Sequence, residues 1–149
     1  MRALMAGLLV IGLAGVAGCG GGDGGPTGPA SNSIAGTWHM SLSNVSGSGE
    51  TCSAADIALV LQESGASFTG TYSGIFACGP TGGQLQGAQV NGTIVNGTRS
   101  GSQVTFNMDN SDLHHTGTIN GDEMSGTANY HINLTGGLRI LSGSWAATR

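Results

Sequence analysis

The stretch Ile34-Ala35-Gly36-Thr37-Trp38-His39-Met40-Ser41-Leu42 decides the fold. Ile34, Gly36, Trp38, Met40 and Leu42 alternate with Ala35, Thr37, His39 and Ser41. A period of two puts each set on its own face of a strand, one face buried and one in water. Working outward, the same alternation predicts a second strand over Asp56–Glu63 and a third over Ala66–Gly74, joined at Ser64-Gly65. A fourth near Ala88–Thr98 and a fifth near Gln103–Asp109 meet at Ser100-Gly101. The sixth, Leu113–Asn120, and seventh, Glu123–Asn133, flank Asn120-Gly121-Asp122, and the last is Leu138–Thr148. No segment carries a helical pattern.

Eight short antiparallel strands with regularly spaced glycine turns predict an all-β fold, an eight-stranded up-and-down barrel whose closure removes exposed sheet edges. Connections after strands two, four and six are tight, and those after one, three, five and seven are longer. These two sets must lie at opposite ends, giving one closed end and one open mouth. The inward set is Trp38, Met40, Leu42, Ile57, Leu59, Leu61, Phe68, Tyr72, Val90, Ile94, Val104, Phe106, Met108, Ile119, Met124, Tyr130 and Leu141. Gly70, Gly92, Gly117, Gly126 and Gly143 share that face. They either let the strands coil tightly or leave room for a guest. An eight-stranded lumen is just filled by side chains or holds one small ligand. The residues expected to line such a pocket are Met40, Leu42, Leu59, Phe68, Tyr72, Ile94, Phe106, Met108, Met124 and Tyr130.

Upstream of the barrel, Met1-Arg2 precedes an apolar and glycine run from Ala3 to Val16. That run is too short for a membrane span, which needs about 20 apolar residues, and has the layout of a secretory signal. Val16-Ala17-Gly18-Cys19 resembles the lipobox of bacterial lipoproteins. The resemblance implies a signal peptide over 1–18 and a lipidated Cys19 at the new N-terminus. Residues 19–33, rich in glycine and without apolar side chains to bury, form a flexible linker reaching about 20 Å, and 34–149 form one domain. Gly20 follows the cysteine where an aspartate would favour inner-membrane retention, so the resemblance implies an envelope protein of the outer membrane. In an exported protein Cys52 and Cys78 are expected to form a disulfide, with free thiols or a metal pair as the alternatives.

Gly36-Thr37-Trp38 resembles the Gly-x-Trp motif that opens lipocalin barrels and the GTW of avidin-like barrels. Gly70-Thr71-Tyr72-Ser73 is similar to an avidin-type GTY segment. In that wider calycin group the first-strand tryptophan packs at the closed end against an arginine near the chain terminus. The resemblance implies a structural plug of Trp38 and Arg149, and antiparallel closure of the last strand on the first is expected to pair Trp145 with Trp38 in it. The helix and second motif of lipocalins are missing, and His39-Met40-Ser41-Leu42 does not reproduce the avidin ligand pattern, so biotin is not the expected guest.

Four Lys and Arg against eight Asp and Glu, with charged residues at 8%, leave no basic patch for nucleic acid. No cofactor and no metal are expected. His114 on the sixth strand is expected opposite Thr127, far from His131, and Asp109-Asn110-Ser111-Asp112 lacks calcium-loop spacing. There is no nucleophile elbow, phosphate-cradling loop or His-Glu-x-x-His pair, so no catalytic residues are assigned and the chain reads as a non-enzyme. A membrane-spanning barrel is disfavoured because several strands fall short of the 9–11 residues a span requires and the aromatics form no girdles. Two functions stay open: a lipid-anchored barrel binding a small hydrophobic or amphipathic molecule, and a filled barrel acting as a structural or protein-interaction module.

Overall fold

A computed structural model describes residues 33–109, 112–134 and 137–149, the side chains of 133 and 134 excepted. The expected signal peptide, Cys19 and nearly all of the expected linker lie outside the described residues, as do Asn110 and Ser111. Eight strands run in order: β1 Gly36–Gly47, β2 Glu50–Ser64, β3 Ser67–Pro80, β4 Gln86–Ser100, β5 Gln103–Met108, β6 Leu113–Asn120, β7 Glu123–Leu134 and β8 Gly137–Thr148. Each pairs antiparallel with the next, and β8 returns to β1, closing the barrel. The closing register runs from His39 opposite Thr148 to Ser46 opposite Ser142.

The apolar alternation faces the lumen. Every residue of the expected inward set is buried except Val90, which is partly so. The outer wall carries the Thr, Ser and Asn positions, the inverse of a membrane-spanning barrel. The strands are longer than expected: β1 to β4, β7 and β8 are 12 to 15 residues long, so their length does not exclude a span, whereas the polarity of the outer wall is opposite to that of a spanning barrel.

The extra length lies at the mouth. β1 and β2 continue to a two-residue connection at Ser48-Gly49, so the first of the long mouth loops is a tight hairpin. Glycine, serine and threonine disguise these extensions, because they carry no apolar alternation. Three strands also change which parity faces inward. β1 shifts register between Leu42 and Val45, β2 between Ala54 and Ile57, and β4 between Val95 and Thr98. Such bulges insert a residue and re-aim the side chains beyond it; Asn44 and Asn96 take the left-handed backbone there, at φ 54° and 53°. Past the first bulge Val45, an odd-numbered residue, is fully buried.

The inward glycines do not leave empty volume. A Cβ at Gly70 would overlap Val60 O, and one at Gly117 would overlap Ser125 O and crowd the Trp145 ring. Gly117 and Gly126 face each other across β6 and β7, and Trp145 is the next partner of Gly126 on β8. The two glycines make a slot for an indole.

Candidate functional site

The lumen has a packed half and a hollow half. The packed half begins at the closed end, where Ser33 and Ile34 cross beneath the barrel. Glu63 accepts hydrogen bonds from Ser33 Oγ at 2.8 Å and Ile34 N at 3.1 Å, and pairs with Arg99 at 3.3 Å. Burial alone would push the Glu63 carboxyl up. The bonds from Ser33, Ile34 and Arg99 outweigh it and hold the group below its usual value. Trp38 Nε1 donates to Ile34 O at 2.8 Å. The Arg149 guanidinium lies 4.6 Å from the Trp38 ring centroid, donates to Ser33 O and Ala35 O, and pairs with Asp122 at 2.7 Å. A cation over an indole contributes about 0.5–2 kcal/mol, more when dry.

Trp145 does not join this plug. The expected Trp38–Trp145 pair is corrected by the register, which sets Trp145 opposite Leu42 and so higher in the barrel. There its Nε1 donates to Thr116 O at 3.2 Å and Thr127 O at 3.1 Å, carbonyls beside the glycine slot. Phe106 meets Trp145 edge-on at 5.4 Å, and His115 stacks on Phe106 at 4.5 Å with 3° between planes. His115 is fully buried, and burial pushes its imidazole down to about 3, so it is neutral. Its Nε2 shares a 3.0 Å hydrogen bond with the Tyr130 hydroxyl. Met40, Leu59, Phe68, Ile94, Phe106 and Met124, expected as ligand-lining, are buried among these groups and border neither of the two cavities above them.

Above Tyr130 the packing opens. A cavity of about 40 Å³ is bounded by Leu42, Ile57, Tyr72, Phe76, Val90, Met108, Leu113 and Tyr130. Beyond it a second cavity, about 170 Å³, is bounded by Glu50, Cys52, Phe76, Cys78, Ile132 and Leu141. Phe76 belongs to both linings and sets its ring edge-on to Tyr130 at 5.9 Å, so it is the partition between them. The inner space has room for about one or two waters, and the outer is comparable to apolar cavities that accept benzene. Hollows of about 500 and 390 Å³ lie on the outer wall along β2, β3 and β4, where they are open grooves.

Of the residues expected to line a pocket, Leu42, Tyr72, Met108 and Tyr130 do so, on the inner cavity. Sequence reasoning missed Phe76, Leu113, Ile132 and Glu50. Ending the third strand at Gly74 loses Phe76, although Tyr72, Gly74, Phe76 and Cys78 continue one inward face. Cys52 and Cys78 are bonded, with Cα atoms 4.2 Å apart. They sit directly opposite one another within β2 and β3 and form part of the mouth wall.

Polar groups near the mouth are mostly engaged. The Tyr72 hydroxyl donates to Asp109 Oδ2, and Thr93 N donates to Asp109 Oδ1 at 2.9 Å. Burial first, and then the Asp109 carboxylate, raise the Tyr72 hydroxyl far above its usual range. Gly92 makes room for that carboxylate, because a Cβ there would collide with it. Asp109 is thus committed to the barrel wall. Among the described residues no group of three or more His, Cys, Asp or Glu could hold a metal. His114 is opposite Asn129, not Thr127, because the turn at Gly121-Asp122 has two residues and pairs Asn120 with Glu123. His114 and His131 are therefore diagonal neighbours on the outer wall, and His114 is hydrogen-bonded to Asn107.

Comparison with protein-family models, with curated proteins and with solved structures finds no match to this chain. The closed eight-stranded antiparallel barrel is consistent with a calycin-like fold.

Proposed function

We propose that this is a cell-envelope lipoprotein, anchored through Cys19 in the outer membrane, whose barrel binds a small hydrophobic or amphipathic molecule at its mouth. The observation that carries the binding reading is the apolar space on both sides of Phe76, in a barrel otherwise packed by large rings. Burying apolar surface is worth about 25 cal/mol per Å², and the outer space has the volume to take an apolar guest of about one ring. The packing below Tyr130 limits that guest. It occupies the mouth, not the length of the lumen, and is about the size of one ring or a short chain. The chain enters at the closed end, where Ser33 is held by Glu63. A tether from Cys19 would then leave the mouth facing away from the membrane, open to what diffuses past.

The packed half gives the rival reading its observation. If Phe76 and the mouth side chains collapse inward, the barrel is a filled module with no guest. Native mass spectrometry of the protein released from its own envelope separates the two. A discrete small mass that leaves on unfolding is the expected result, and a bare protein mass from envelope and recombinant material alike would favour the filled barrel. Anchoring is checked on the same preparation: Cys19→Ser should move the protein out of the membrane fraction, and retention there would refute the anchor.

A further inference from the structure

Among the described residues, the mouth holds one cation that no other group answers. β8 turns Leu138 and Ile140 outward, 52% and 53% exposed, and Leu141, Trp145 and Ala147 inward. Arg139 falls on the inward face, two residues from Leu141 and directly opposite Ile132 on β7. Both of those residues bound the outer cavity. Arg99 pairs with Glu63 and Arg149 with Asp122. Arg139 has no ion pair, and its Nε is buried without a hydrogen-bond partner among the described residues. A buried donor left unanswered costs free energy, and a guanidinium is shaped to hold a carboxylate on two parallel N–H groups.

We propose that Arg139 is the head-group site of the mouth cavity, and that the guest is a small monocarboxylic acid with an apolar body of about six carbons or one ring. This rests on the reading of the mouth as a binding site and names the chemistry of its occupant. The body fills the space beside Phe76 and the disulfide, and the carboxylate caps it at Arg139. The competing acceptors and donors are spent: Tyr72 on Asp109, and Tyr130 on His115. Glu50, from the β2 side of the same cavity, forms no ion pair with Arg139. Its negative charge disfavours a second anionic group on the guest, hence a monocarboxylate.

The test titrates the full-length protein at pH 7, by isothermal calorimetry, with hexanoate and with hexan-1-ol, which share a chain length and differ in the head. Hexanoate should bind about tenfold or more tightly than the alcohol, the range for a hydrogen bond to a charged group. Arg139→Gln should bring the two affinities together while leaving the alcohol unchanged, and Arg139→Lys should keep part of the preference. Equal affinities in the unaltered protein, or an undiminished preference in Arg139→Gln, would overturn the head-group assignment while the cavity reading stands. If neither probe binds, the cavity reading falls and takes this one with it. Should Arg139→Gln fail to fold, the ratio measured on the unaltered protein decides.

Discussion

In the packed half, Phe68, Phe106 and Trp145 fill the barrel ring against ring above the buried Trp38, and the chain itself crosses beneath them at Ser33 and Ile34. At the mouth the same strands run on past the packing, and a disulfide and a half-buried Phe76 border empty space. Both regions share one alternation and one sheet. What separates them is how the inward positions fill: below, rings and the glycine slot around Trp145 close the lumen, and above, the side chains around Phe76 leave space between them. Packing specifies the lower half, and a disulfide ties β2 to β3 in the wall of the upper half.

The sharpest way to break that contrast is to remove one ring from each half. Trp145→Ala should cost about 3–5 kcal/mol, the range for truncating a buried aromatic, because it empties the slot over Gly117 and Gly126. Phe76→Ala should cost under about 2 kcal/mol, since its ring is only partly buried and already faces a void. Chemical denaturation of both variants measures this, and equal losses would mean the mouth is as tightly packed as the base.

Next in size is the disulfide. Replacing Cys52 and Cys78 by alanine should cost about 3–4 kcal/mol in the chain-entropy model, read as a lower denaturation midpoint. Hydrogen exchange should then rise at β2 and β3 near the mouth before it rises at Trp38. Uniform loosening would show that the two halves share one stability.

Smallest is the response to acid. His115 is neutral when folded, with its value lowered to about 3, and an unfolded histidine protonates near 6.5. The unfolded chain therefore binds more protons as pH falls through 6.5, and stability declines. The slope reaches about 1.4 kcal/mol per pH unit, or about 2 kcal/mol between pH 6.5 and 5, above the carboxylate titrations. His115→Phe keeps a ring against Phe106 and should flatten the curve in that window. An unchanged slope would place the proton-linked group elsewhere.

Much of this was legible from residue order. A period of two in Ile34 to Leu42 exposes a strand and its buried face, and repeating it down the chain yields eight strands and the inward set. Alternation reports which face a side chain takes, but not its depth along the barrel axis. Met124 and Tyr130 look alike as inward positions, yet one is sealed in the base and the other floors a cavity. Bulges were hidden as well, because Asn44 and Asn96 insert a residue without any apolar signature. Arg139 by itself looks like a solvated charge at the head of a strand. Only its alternation with Leu138 and Ile140 turns it inward.

Arg149 Nη1 reaches the carbonyl of Ser33, 116 residues earlier, and β1 has β8 as its second neighbour. While the chain emerges from the ribosome, β1 waits through seven further strands with one hydrogen-bonding edge unanswered. Completion of the barrel is thus a late event on the timescale of chain synthesis, and the long wait of an open, serine-bearing edge is when a holding chaperone would have something to grip.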